Sequence, residues 1–276
     1  MNNDRIQEIL DLMEEARLDY FLISDPQSIA YCTGYYNDPH ERMFVFMISK
    51  HGNHTLFMND LFYLDHDLDV NIVWHKDGQD AIQTIVDEMH FPGRIGIDKN
   101  WASHFLLDLM KKLPDAKYIN ASPCVDLVRM KKDLQEQVLM IESSKINDAV
   151  MEEIIPFIQE GVTEKQLAKK LDELFFNHHS TCYGAIVAFG KNAADPHHEN
   201  DDTLLRKGDC VLIDMGCVYK GYCSDMTRTF FYEGILEEEI KVYEIVKKAN
   251  EAAEAMIKPG VKLSDIDKCA RKVISD

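Results

Sequence analysis

The stretch Val211–Phe231, VLIDMGCVYKGYCSDMTRTFF, decides how the rest of the chain is read. Its ends are β-rich, with Val211, Leu212 and Ile213 on one side and Thr227, Thr229, Phe230 and Phe231 on the other. Gly216 and Gly221 lie between them, and the whole pattern predicts a β-hairpin. A turn at Tyr219-Lys220 sets Asp214 directly across from Asp225, with Cβ atoms roughly 4.5–5.5 Å apart. Like charges so placed repel, and Asp214 ends an apolar run, where an unpaired carboxylate is costly. A cation between the two removes both penalties. Two ions roughly 3.5–4 Å apart that share carboxylates form a hydrolytic centre. The plain alternative is a hairpin whose aspartates face solvent or pair with Arg228. Strand parity also puts Thr227 and Thr229 on the face of Asp225, where hydroxyls support a ligand.

The wording IDMG…YKGYCSDMTRTF resembles the metal-binding signature of the prolidase/creatinase/methionine aminopeptidase family, the pita-bread metallohydrolases. The resemblance implies that Asp214 chelates one ion and that Asp225 bridges two. A second stretch, YGAIVAFGKNAADPHHEND, contains Gly190, Asn192, Pro196 and His197 in the family's form Gly-x-Asn-x-x-x-Pro-His. The resemblance implies that His197 hydrogen-bonds the substrate near the scissile amide and does not ligate metal, with His198 as its neighbour. An imidazole there stabilises developing charge or steers a proton. Without that context, two adjacent histidines in a polar loop are ordinary surface residues. His178 and His179 lack such a context and read as helix-end residues facing the C-terminal dipole.

Composition narrows the partners. The 276 residues hold 48 acidic against 30 basic side chains, a net charge of −18. That argues against nucleic acid or an anionic membrane, both of which call for a basic surface. No apolar run approaches the roughly 20 residues that span a bilayer, and the start, MNNDRIQEIL, has no secretory pattern. Seven cysteines at irregular spacing, without a CxxC, point to free thiols and a reducing cytoplasm. Cys210, Cys217 and Cys223 read as buried small hydrophobes.

Along the chain, Ile6, Ile9, Leu10 and Met13 recur at helical spacing, and Tyr20–Ser24 reads as a strand. Asp25-Pro26 opens a helix that Gly34 caps. Arg42–Ser49 and His54–Asn59 read as paired strands around Gly52-Asn53, followed by a β-α-β alternation to Asn120. Tyr31, Tyr35 and Tyr36 read as a packed helix end. Residues 1–122 thus form an α/β domain similar to the creatinase/prolidase N-terminal domain, 123–133 a linker, and 134–276 the catalytic domain. A helix is expected from Leu134 to about Gln159, with Val138, Ile141, Ile146, Val150 and Ile154 on its apolar side, and Thr163 caps a second. Ile158-x-x-Gly161-Val162 with Leu167 is echoed by Ile257-x-x-Gly260-Val261 with Ile266, 99 residues on. This repeat agrees with the two related halves of the family's catalytic domain.

The fold class expected is α/β (α+β), a creatinase-like α/β domain followed by an incomplete pita-bread domain. The family completes its centre with a histidine and two glutamates beyond this point, and no glutamate follows Glu254. Two of five ligand side chains, Asp214 and Asp225, are therefore present, with His197 beside them. The resemblance is closest to bacterial Xaa-Pro dipeptidases, with Xaa-Pro aminopeptidases next and a non-catalytic binding protein of the same fold as the reading from another class. It implies two divalent metal ions, Mn²⁺ first and Co²⁺ or Zn²⁺ after it, and a small peptide substrate with proline in second position. The 276 residues alone are expected to be inactive. An exposed sheet edge and an uncovered apolar face are expected to drive association, as a homodimer or larger species.

Overall fold

A computed structural model describes residues 1–276. The chain divides into two compact units, Met1–Lys132 and Asp133–Asp276. No helix is long and apolar enough to cross a membrane.

The first unit runs α1 (Asn3–Glu15), β1 (Tyr20–Ile23), α2 (Pro26–Thr33), β2 (Val45–Ser49), β3 (Thr55–Asn59), β4 (Asn71–His75), α3 (Ala81–Glu88), β5 (Arg94–Ile97), α4 (Ser103–Lys112), β6 (Lys117–Asn120) and α5 (Ser122–Met130). Its six strands are ordered β4-β3-β2-β1-β5-β6. Every residue of β1 is buried, as a strand covered on both faces requires. Phe21 and Ile23 join the core built with Ile6, Ile9 and Met13 of α1, while Tyr20 and Leu22 point into the core with Ile82, Ile85 and Leu109. Gly34 caps α2 in the left-handed conformation, and Asp25 accepts from the Ser28 amide at the other end. Tyr35 is buried at that helix end, but Tyr36 is 56% exposed. The stretch expected as a linker contains α5, whose Cys124, Val125 and Val128 lie in the first unit's core.

The second unit runs α6 (Leu134–Ile154), α7 (Glu164–Asn177), β7 (Thr181–Phe189), β8 (Cys210–Tyr219), β9 (Tyr222–Phe231), α8 (Glu237–Glu254) and α9 (Leu263–Ser275). The first helix is shorter than its periodicity suggests. Pro156 lacks an amide hydrogen, so the last turn tightens to a 3₁₀ turn over Ile155–Phe157. Of the apolar positions expected on α6, Val150 and Ile154 are buried, whereas Val138 and Ile141 are exposed. Thr163 caps α7 through the Gln166 amide, and Gln166 returns to the Thr163 amide. Leu167, Leu171 and Phe175 of α7 pack with Val150 and Ile154 of α6 beneath Val187, Val211, Ile213 and Met215.

Strand alternation fixes the function-bearing face. Val211, Ile213, Met215 and Cys217 point toward the helices, so Asp214 points away from them. The three strands pair in the order β7-β8-β9, leaving β9 at an edge. α8 and α9 pack on each other, and Gly161 and Gly260 break the two helix pairs with similar positive φ, 84° and 88°. Of α8 and α9 only Ala249 is buried, while Val242, Val246, Leu263 and Ile274 are exposed.

All seven cysteines are free. Cys217 is buried and Cys210 half-buried, but Cys223 is exposed, because the edge strand turns it away from the core. Burial pushes the Cys32 thiol up to about 12 and that of Cys182 to about 11. A thiol reagent at pH 8 is therefore expected to titrate Cys223 rapidly in the native protein and all seven thiols in denaturant. Rapid native reaction of Cys32 or Cys182, read by peptide mapping, contradicts this packing.

Candidate metal centre

The Asp214 and Asp225 strands are joined by a turn one residue later than their sequence suggests. Tyr219 pairs with Tyr222, and Lys220-Gly221 forms the two-residue loop, with φ of 48° and 85°. A type I′ loop needs positive φ at both central residues, which suits Gly221 and would strain Tyr219. The register moves by two residues in consequence. Asp214 is opposite Thr227, and Asp225 is opposite Gly216. An even shift keeps both carboxylates on one face, now as diagonal neighbours roughly 7–8 Å apart, with Cβ atoms somewhat closer.

Thr227 supports the other aspartate from the one parity suggested: its Oγ1 donates to Asp214 Oδ1 at 2.7 Å. Arg228 pairs with neither aspartate, its guanidinium donating to the carbonyl of Thr227. Asp214 is half-buried and Asp225 exposed. A cleft of about 740 Å³ opens beside Asp225 and Thr227, with Asn147 of α6 and Lys247 and Asn250 of α8 on its other walls.

Sequence reasoning missed Tyr183. It sits where β7 bulges between Cys182 and Ala185, and Gly184 takes a φ of 121° there. The Tyr183 hydroxyl donates to the Ser224 carbonyl at 2.8 Å and covers Gly216, where no side chain has room. Burial raises its pKa, and the nearby carboxylates of Asp225 and Asp214 raise it further, so the phenol stays a donor. A glycine inside a strand pattern is a signal of such a bulge, but nothing local reveals what the bulged residue covers.

His197 lies on the loop after β7, which opens with a 3₁₀ turn over Gly190–Ala194. It is exposed, and its backbone amide donates to Asp195 Oδ1 at 3.0 Å. It makes no hydrogen bond to either aspartate. Phe189, the last residue of β7, pairs with Val211, three residues from Asp214 along β8, or about 10 Å. His178 ends α7 and pairs with Glu153 at 2.9 Å.

A second residue missed was Glu164, the first of α7. It is fully buried, and its carboxylate accepts from the Phe189 amide at 2.8 Å, Asn192 Nδ2 at 3.0 Å, His198 Nε2 at 2.6 Å and the Asp201 amide at 3.1 Å. Glu164, His198 and Asp201 bring three ligand-type atoms within 4.8 Å of one another. An acidic residue in a first helical turn is ordinary dipole chemistry, so its sequence context conceals the burial.

The donor set of the hairpin suits a divalent cation. Asp214 and Asp225 offer carboxylate oxygens on one face, the hard donors that divalent cations of this kind take. Two carboxylates on one sheet face lie next to an open cleft, an arrangement that fits metal-dependent hydrolysis. Residues 138–276 match the model of metallopeptidase family M24, and residues 5–131 match that of the creatinase/prolidase N-terminal domain. The chain belongs to metallopeptidase family M24. A dipeptidase from Pyrococcus horikoshii superposes with a TM-score of 0.89 at 32% identity, over 98% of this chain and 77% of that one. An Xaa-Pro dipeptidase from Bacillus anthracis gives 0.88 at 25%, over 99% and 77%. An uncharacterized peptidase of Staphylococcus aureus is 29% identical over 281 residues, covering 99% of this chain and 78% of the relative. The fold is the one expected, an α/β creatinase-like domain followed by residues of the pita-bread metallopeptidase domain.

Proposed function

We propose that the protein is an Xaa-Pro dipeptidase, with Asp214 and Asp225 as metal ligands and His197 facing the substrate. The observation that carries this reading is the pair of carboxylates held on one face of β8 and β9. Likeness to a dipeptidase from Pyrococcus horikoshii and an Xaa-Pro dipeptidase from Bacillus anthracis supports the substrate class. Mn²⁺ suits carboxylate-rich ligation with a single imidazole. Free thiols throughout are in keeping with work in the cytoplasm.

Divalent ions in such a centre supply activated water and polarisation of the scissile carbonyl. The chain's own residues do the positioning. Thr227 holds Asp214 Oδ1 and leaves the other oxygen to ligate. Asp225, with no residue opposite it but Gly216, is open on both oxygens and suits the bridging role. His197 offers an imidazole N–H to the substrate's amide as charge develops on it.

These residues provide two of the five ligand side chains that the resemblance implies. Purified and given Mn²⁺ and an Xaa-Pro dipeptide, the 276-residue chain is expected to show no turnover, since two carboxylates do not hold two ions in fixed geometry. Light scattering on the same sample is expected to show a homodimer or larger species, driven by the β9 edge and the apolar side chains of α8 and α9. Robust turnover by a monomer overturns both expectations and moves the active site elsewhere.

A further inference from the structure

The cluster of Glu164, His198 and Asp201 has the composition of a metal site and the geometry of something else. Each oxygen of Glu164 already takes two hydrogen bonds: Phe189 N–H and Asn192 Nδ2 on Oε1, His198 Nε2 and Asp201 N–H on Oε2. A carboxylate has about four lone-pair sites, so none is left for a cation. Two of the donors are backbone amides, which do not leave without unfolding the strand end or the loop. A carboxylate only accepts, so His198 Nε2 carries its proton and points it at Glu164, and that nitrogen has no lone pair to offer a cation within the cluster.

The four donors are not scattered. Phe189 is the last residue of β7, Asn192 lies in the 3₁₀ turn, and His198 and Asp201 stand at the far end of the same loop. Asn192 Nδ2 also reaches Thr203 Oγ1 at 3.2 Å, and the Glu164 amide donates to the Thr203 carbonyl at 3.3 Å. One fully buried carboxylate therefore joins both ends of the segment 189–201, and His197 projects from within it with an exposed side chain. His197 is adjacent to a clamped residue, so its backbone inherits the clamp.

We propose that Glu164 is a positioning residue, a buried clamp that sets where His197 stands, and that the Glu164–His198–Asp201 cluster binds no metal. The role assigned to His197 rests on the dipeptidase reading above; the clamp itself does not. Glutamine at 164 tests it sharply. Its oxygen can serve Phe189 and Asn192, but its amide nitrogen then faces two donors. His198 must turn Nε2 into an acceptor, and the Asp201 amide loses its partner.

In the 276-residue protein, imidazole ¹⁵N–¹H correlation spectra are expected to show His198 as the Nε2–H tautomer and E164Q to convert it to the Nδ1–H tautomer. Amide exchange across 190–201 is expected to rise at least tenfold in E164Q, with β8 and the rest of α7 unchanged. Unaltered spectra and exchange in E164Q overturn the clamp. If E164Q fails to fold, Asn192→Ala removes one donor only, and faster exchange confined to the first half of the loop supports the clamp while wild-type exchange overturns it. Equimolar Zn²⁺ is expected to leave the His198 signals in place; a Zn²⁺-induced shift lost in D201N makes the cluster a metal site and overturns the proposal. In a form of the protein that turns over Xaa-Pro dipeptides, E164Q is expected to lower kcat at least tenfold with little change in KM. If H197A leaves turnover intact, the role of His197 falls and the clamp stands as architecture alone. If H197A abolishes turnover and E164Q does not lower it, the positioning role falls by itself.

Discussion

Replacing Asp225 with asparagine is expected to abolish dipeptide hydrolysis, by about 10³-fold or more, in any form of the protein that turns over Xaa-Pro peptides. A loss of that size corresponds to about 4 kcal/mol of transition-state stabilisation. Asp225 stands opposite Gly216 on the edge strand and lines an open cleft. Asparagine keeps the shape but removes the negative charge and one of the two oxygens, so it cannot bridge two cations. The fold should hardly notice, because an exposed side chain making no hydrogen bond of its own contributes within roughly 0.5 kcal/mol. The diagnostic combination is an unchanged melting temperature, reduced bound Mn²⁺ by elemental analysis and no turnover. Wild-type turnover by D225N with Mn²⁺ removes this residue from the centre.

Gly216→Ala is expected to act the other way, on the fold first and on the site through it. A Cβ at 216 overlaps the Tyr183 hydroxyl and the Ser224 carbonyl oxygen at once. The tyrosine can swing out, but Ser224 belongs to β9 and is paired with Cys217, so its carbonyl moves only if the β8–β9 ladder moves. Overpacking of this kind costs about 1–3 kcal/mol, which for a unit of this size lowers the melting temperature by roughly 2–4 °C for each kcal/mol. Displacing Tyr183 also removes the phenol that donates to Ser224 beside Asp225. The double variant G216A/Y183A should recover only part of the loss, because the backbone clash persists. A melting temperature for G216A equal to wild type shows that the close approach is absent in solution.

How much of this was legible in the residues varies with the range of the interaction. Helix starts at Asp25 and Thr163 are local chemistry, a side-chain oxygen meeting an amide three residues on, and the structure shows both caps and a further one at Asp133. The alternation Val211, Ile213, Met215 against Asp214 is also local, so the face of the carboxylates could be read before any coordinate. The turn was one residue off because a pattern of apolar residues does not register which pair takes positive φ, and Lys220, not Tyr219, took it with Gly221. Val138 and Ile141 fit a helical stripe yet stay exposed, since periodicity shows which side of a helix could be covered and not whether anything covers it.

The sequence by itself determined the family, the two-unit order, the hairpin and the shared face of Asp214 and Asp225, because each depends on residues a few positions apart or on a motif written contiguously. Only the tertiary structure decided the diagonal register of the two carboxylates, the phenol of Tyr183 over Gly216 and the burial of Glu164 beneath the His197 loop. Those depend on partners 33 residues apart for Tyr183 and Gly216, and 34 for Glu164 and His198. Contacts of that separation are selected by packing the whole sheet on α6 and α7, where burial turns an ordinary glutamate into a fully satisfied anchor.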